Sequence, residues 1–245
     1  MLKWEEILSK KSLPVWIIGT ENISKIRAEF AVISLGIGER FRKNLSFARK
    51  YGLLHIGKFK GEKIICANVP AGTLMLESVL KVLSLAGIKR VIGIGATGGL
   101  QDNVNIGDII LPTSAFSGEG LSRYYQKDNR LIKCDESIME RLTELSSTGN
   151  LPYHNGKIYT TASILSETDD FVEKLKEEGF LGIECEIAAM YLLSQEFNMK
   201  AAGLLVITDH PSKKELFENN PIKRTRVKDA FRNVEELIKN YFVMS

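Results

Sequence analysis

Apolar residues along this chain recur with two alternating periods, near two and near 3.6, and the switches between them mark out its elements. Residues 1–12 carry Trp4, Ile7 and Leu8 at helical spacing and predict a short amphipathic helix. VWII at 15–18, FAVISL at 30–35, and the pair LLHIGKF and KIICANV joined at Lys60-Gly61-Glu62 are β-branched runs that predict strands. TLMLESVLKVLSLAG at 73–87 predicts a helix that stops at Gly87. VIGIG (91–95) and NIGDIILPTSAF (105–116) read as strands, and helical patterns recur at 135–147, 169–178, 187–198 and 222–241. Further strands fall near 156–161, at 180–184 and at AAGLLVIT, 201–208. This alternation predicts an α/β fold: one domain over 1–245, with residues 1–12 as an N-terminal helical extension and a mixed, largely parallel sheet covered by helices on both faces. Such sheets bind ligands at the carboxyl ends of their strands, which singles out LGIGERFR, GIGATGG, GIECE and ITDH.

Composition narrows the class. Hydrophobic residues make up 44% and charged residues 26% of the chain, the balance of a soluble globular protein. A net charge of +3 calls for neither nucleic acid nor an acidic membrane, and it does not repel a small anionic substrate. Cys66, Cys134 and Cys185 are widely spaced and form no C-x-x-C pair, which argues against a disulfide framework or a zinc site and fits a reducing compartment. The first residues carry acids where a signal peptide needs an apolar stretch, and no apolar run approaches membrane-spanning length. A cytoplasmic location is the expectation. No D-x-D or H-x-x-H spacing suggests a metal, and no cofactor is expected.

Gly93-Ile94-Gly95-Ala96-Thr97-Gly98 matches G-x-G-x-x-G directly after a strand. A dinucleotide site requires a helix to begin there, yet Gly99-Leu100-Gln101-Asp102-Asn103 is turn-forming and another strand follows. Two readings stay open: a strand-to-turn connection that needs glycine, or backbone N–H groups that cradle a small anion or sugar.

Carboxylates stand at two of the strand ends. Glu184 and Glu186 open the helix 187–198, where acids favour the helix dipole, but a fixed carboxylate there also suits a reaction that develops positive charge. Asp209 precedes His210-Pro211 and fits either a turn-initiating residue or a half-buried acid with a raised pKa.

VIGIGATGGLQDNVNIGDIILPTSA (91–115) and GIECEIAAMYLLSQEFNMKAAGLLVITDH (182–210), preceded by LGIGERFRKNL (35–45), resemble the nucleoside phosphorylase superfamily. These are the hexameric purine nucleoside and uridine phosphorylases, with the methylthioadenosine phosphorylases among them. The resemblance runs from about residue 20 to the C-terminus and implies a nucleoside and phosphate as substrates, a pentosyl transfer and a homo-oligomer, hexamer or dimer. It implies that Glu186 accepts hydrogen bonds from the ribose hydroxyls, that Cys185 packs beneath the sugar between Glu184 and Glu186, and that Ile164 and Thr208 border the base. It further implies that Asp209 protonates the departing purine with help from Arg224 (or Lys223). Gly38 and Arg42 fall on the family's phosphate loop. Lys50 lies near where the family sends a cation into the neighbouring subunit's site.

The departures are equally specific. Where the phosphorylases place an arginine and then a hydroxyl residue on phosphate, this chain has Gly93 and Ala96, with Thr97 one residue late. Ser163-Ile164-Leu165-Ser166 replaces the aromatic base platform, and Asn22 stands near the place of a histidine lent across the subunit interface. The expected reaction is phosphorolysis of a purine nucleoside to free base and ribose 1-phosphate. The alternatives are hydrolysis, as in related nucleosidases, and nucleoside binding without turnover. The short segment Ser163–Phe171, with Glu167, Asp169 and Asp170, lacks the Gln and Arg insertion of uridine phosphorylases, which disfavours uridine. His154 reads as a surface histidine and His55 as a sheet residue. Cys185 has no histidine base beside it.

Overall fold

The structure, a computed structural model, describes residues 3–125 and 130–243. The strands form one sheet. In chain order they are β1 (Phe30–Leu35), β2 (Ser46–Tyr51), β3 (Leu54–Phe59), β4 (Glu62–Val69), β5 (Arg90–Gly99), β6 (Ile109–Ser117), β7 (Leu131–Lys133), β8 (Tyr153–Thr160), β9 (Gly182–Glu184), β10 (Lys200–His210) and β11 (Glu215–Leu216). The helices are α1 (Trp4–Ile7), α2 (Leu13–Ile18), α3 (Thr73–Leu85), α4 (Glu136–Thr148), α5 (Asp169–Glu177), α6 (Ile187–Glu196) and α7 (Pro221–Tyr241). No helix among the described residues is long and apolar enough to cross a membrane.

The order β4-β1-β5-β10 is parallel throughout and forms the middle of the sheet. Parallel pairing also joins β6 to β8 and β8 to β9. The remainder is antiparallel: the β2-β3-β4 edge, β7 on β6, β11 on β10, and the junctions β10–β6 and β5–β9. The sheet is thus an α/β mixed sheet as expected, but less parallel than the strand–helix alternation suggests. The difference arises at the β2-β3-β4 and β10-β11 hairpins, which need no helical crossover, and at the long-range antiparallel junctions β10–β6 and β5–β9. Because β5 pairs with both β9 and β10, the five strands β5-β9-β8-β6-β10 close into a ring, a small barrel with β4, β1 and the β2-β3 hairpin extending from one side.

β1 is buried along its whole length, and α6 is buried all round from Ile187 to Ser194, as a helix filling the centre of a core requires. α3 buries Leu76, Val79, Leu80, Val82 and Leu83.

Three segments differ from expectation. VWII is helical: α1 passes through a π-helical turn, Leu8–Ser12, into α2, where Pro14 occupies the first turn and Gly19 closes the helix at φ 73°. Proline suits a helix start because the N–H it lacks has no partner there, which overrides the β-branched run. Residues 1 and 2 lie outside the described residues, as do the side chains of Trp4 and Ile7 on which the expected apolar face rests. β2 was not expected; its sequence, SFARKY, is exposed and polar and pairs only as an edge. β5 runs straight through GIGATGG to Gly99, and no helix follows it before β6.

Candidate active site

A cavity of about 190 Å³ opens at the carboxyl ends of β1, β5 and β10, lined by Leu35, Gly36, Ile37, Ala71, Ala96, Thr97, Gly98, Ile164, Glu167, Ile183, Glu184, Cys185, Glu186, Thr208 and Asp209. It shares Ala71, Ile164 and Cys185 with an adjoining cleft of about 550 Å³. Together they fall in the size range of small-ligand pockets. The most exposed of their apolar residues is Leu165, at 99%; Ile164 and Leu74 are also largely exposed.

Asp209 reaches the cavity because the β10–β5 ladder slips there: Ile207 opposes Thr97, but Asp209 rather than Thr208 opposes Gly98. Such a bulge re-aims the side chains that follow it. Gly98 is required opposite, since a Cβ there would lie 2.8 Å from Asp209 Oδ2 and 3.0 Å from the Pro211 ring. The Thr208 hydroxyl donates to Asp209 Oδ1 at 2.9 Å. Burial pushes the Asp209 pKa up, the Thr208 hydrogen bond opposes the shift, and the Glu218 charge adds to it.

The β9-to-α6 connection carries the other carboxylates, and they divide between two tasks. Glu184 Oε2 accepts the backbone N–H groups of Glu186 (2.6 Å) and Ile187 (2.8 Å), and Thr160 Oγ1 donates to Oε1. Glu184 therefore caps the start of α6 and satisfies donors the helix leaves free. Glu186 instead accepts the Gly72 N–H at 2.6 Å, from the loop entering α3. Burial raises both pKa values, with the Glu186 charge adding to the rise at Glu184. Between them, the Cys185 thiol is pushed up to about 12 by burial and the surrounding carboxylates, so it stays protonated and is no nucleophile.

Glu167 joins this group without having been identified as a site residue from sequence. It follows the 3₁₀ turn Ile164–Ser166, and its carboxyl is pushed up to about 7 by burial and by the Asp209 charge. The only local signal was an acid immediately beyond the segment that replaces the base platform. Gly72 likewise escaped notice, since its contact with Glu186 spans 114 positions of sequence.

Ile164, Glu184, Cys185, Glu186, Thr208 and Asp209 are thus brought together, and Thr97 lies with them. The Thr97 hydroxyl is engaged elsewhere, donating to the Ile183 carbonyl at 2.9 Å across the β5–β9 junction. Gly38, Arg42, Lys50 and Arg224 do not line the cavity. Gly38 sits in the loop after β1 at φ 74°. Arg42 is half-exposed, its Nε 3.7 Å from Glu39 Oε2, while Glu39 Oε1 lies 3.2 Å from His55 Nδ1. Lys50 is exposed on β2 opposite His55. Arg224 is exposed in the first turn of α7. At position 93 a Cβ would meet Met190 Sδ at 2.6 Å and Leu35 Cδ1 at 3.2 Å, so the volume an arginine would need there is filled by α6. Among the described residues, no lysine or arginine lines the cavity. Among the described residues, no group of three or more His, Cys, Asp and Glu is arranged to hold a metal.

Residues 20–239 match the family model described as the Phosphorylase superfamily. Purine nucleoside phosphorylase DeoD-type 2 of Vibrio vulnificus is 23% identical over 159 residues, covering 63% of this chain and 66% of that protein. Purine nucleoside phosphorylase DeoD-type of Buchnera aphidicola subsp. Schizaphis graminum is 25% identical over 169 residues, covering 66% of this chain and 70% of that protein. The chain therefore spans about two thirds of the length of these curated relatives. A crystal structure of uridine phosphorylase from Vibrio fischeri ES114 superposes with a TM-score of 0.80 at 16% identity, over 91% of this chain and 94% of that one, which establishes a shared fold. On the match over residues 20–239, this chain belongs to the phosphorylase superfamily.

Proposed function

We propose that this chain cleaves the N-glycosidic bond of a purine nucleoside by phosphorolysis, releasing the free base and ribose 1-phosphate. The observation that carries this reading is the convergence of Glu186, Cys185 and Asp209 on one cavity at the strand ends. In this account Glu186, held by the Gly72 N–H, accepts the ribose hydroxyls, and its charge favours the oxocarbenium character that C1′ acquires. Cys185 supplies an uncharged surface under the sugar. A phosphate oxygen forms its bond to C1′ as the C1′–N9 electron pair passes to the purine, and a proton from Asp209 moves to N7, so that a neutral base departs. Burial of Asp209 supports that role, because it favours the protonated acid. The relatives named as purine nucleoside phosphorylases support the purine.

Phosphate is the co-substrate in this reading, and no cofactor takes part. In this reading its contacts come from Gly38, Arg42, Lys50 and Thr97, while Arg224 assists Asp209. A homo-oligomer, hexamer or dimer, is proposed from the exposed Leu74, Ile164 and Leu165 around the opening. A cytoplasmic location is proposed from the unpaired cysteines.

One observation favours a second reading, hydrolysis: among the described residues, the lining of the cavity carries four carboxylates and no cation to receive phosphate. Incubation of purified protein with adenosine, inosine, methylthioadenosine and uridine, with and without phosphate, separates the two. Phosphate-dependent release of purine with ribose 1-phosphate is the expected result. Release of free ribose at a rate indifferent to phosphate overturns phosphorolysis in favour of water, and exclusive turnover of uridine overturns the purine assignment.

A further inference from the structure

Glu167 is tied down by its backbone and left unengaged at its side chain. Its N–H donates to the Ile164 carbonyl at 3.3 Å, and the next residue, Thr168, caps α5 by accepting the Phe171 N–H at 3.3 Å. The chain on both sides of Glu167 is therefore fixed, while its carboxyl lines the cavity beside Asp209. Among the described residues no hydrogen bond or ion pair reaches that carboxyl. A half-buried acid without a cation, facing another acid, is costly to keep unless a ligand uses it.

We propose that Glu167 and Asp209 act together as the base-reading element of the site, selecting nucleosides whose base presents a hydrogen-bond acceptor beside a donor, as 6-aminopurines do, over 6-oxopurines. The proposal rests on the purine-nucleoside reading above and names its substrate class. On the edge of a purine that carries N7, a 6-amino base offers the N7 acceptor next to an N–H donor, whereas a 6-oxo base offers two acceptors. The Asp209 charge raises the pKa of the Glu167 carboxyl, so ionising one acid disfavours ionising the other. Such a pair presents one O–H donor and one carboxylate acceptor. The protonated member meets N7, and the ionised member accepts from the 6-amino group. Against a 6-oxo base the ionised member faces a carbonyl oxygen, lone pair to lone pair, and neither is satisfied. Asp209, the proposed acid, is the protonated member that meets N7, and Glu167 is the ionised acceptor.

Glu167→Gln tests this, because the amide replaces the obligatory acceptor with a group that can also donate to a 6-oxo oxygen. Its position on a half-buried turn, with the backbone contacts unchanged, leaves the fold intact. The measurement is kcat/KM for adenosine and for inosine in the wild type and the variant, with phosphate present. The wild type is expected to favour adenosine by about tenfold or more, and the variant to move the adenosine-to-inosine ratio toward inosine by about tenfold or more, within the range for gaining or losing a polar contact in a binding pocket. A ratio that stays within about twofold, while both nucleosides are turned over, overturns Glu167 as a specificity residue and leaves the purine assignment standing. A wild type that prefers inosine also overturns it. If neither purine nucleoside is cleaved and uridine is, the purine reading fails and this inference falls with it.

Discussion

At Asp209 two influences compete: burial favours the neutral acid, and the Thr208 hydroxyl at 2.9 Å favours the anion. Burial prevails, so the pKa stands above the ordinary carboxyl value, and the acid is available below it. Activity that needs the acid is therefore lost as pH rises through that raised pKa. Thr208→Val removes the opposing hydrogen bond, and the alkaline limb of kcat/KM is expected to move to higher pH; a limb that stays put or moves down contradicts the assignment. Asp209→Asn, which keeps shape but cannot give up the proton, is expected to lower kcat on purine nucleosides by at least about a hundredfold in steady-state assays. The placement of Glu186 and Asp209 at the cavity was legible in sequence, from carboxylates at strand ends together with the resemblance of the motifs around them. That of Glu167 and of Gly72 was not. Their roles depend on a turn and a loop folding over the barrel, and no local pattern encodes that approach.

At the level of elements, the G-x-G-x-x-G run is a strand whose glycines make room for what packs against it. Gly98 lies under Asp209 and Pro211, and Gly93 lies under Met190 of α6. At Gly93 the same packing leaves no room for the arginine that the phosphorylases place there. Gly98→Ala is expected to lower stability by about 1–3 kcal/mol in a denaturant titration, through overpacking against the Asp209 bulge. Activity in the same variant should fall further than the loss of folded protein accounts for, because Asp209 is displaced. A variant with wild-type stability and rate would show that the two strands tolerate a methyl group and that the bulge does not fix Asp209. Where sequence misled, at VWII, β-branched composition pointed to a strand while Pro14 and Gly19 set the limits of a helix. Local propensity lost to capping geometry.

Across the whole molecule, the parallel centre followed from the alternation of strands and helices, whereas closure of the barrel did not. It depends on β9, three residues long and antiparallel to β5 yet parallel to β8, and such a segment carries no periodicity to read. Ile164, Leu165 and Leu74 stand exposed at the rim of the site, an apolar edge on which the proposed subunit contact is built. Light scattering on the purified chain is expected to give a dimer or hexamer, and Leu165→Asp a smaller species; a monomer at micromolar concentration in the wild type contradicts the contact. The central claim, that the cavity around Glu186 and Asp209 breaks a glycosidic bond, is tested most directly by chromatographic measurement of free base released from adenosine, wild type and Glu186→Gln side by side. The account predicts release by the wild type and a rate at least about a hundredfold lower in the variant, as expected for a lost electrostatic contact to the transition state. No release by the wild type from any nucleoside, or equal release by both proteins, would contradict it.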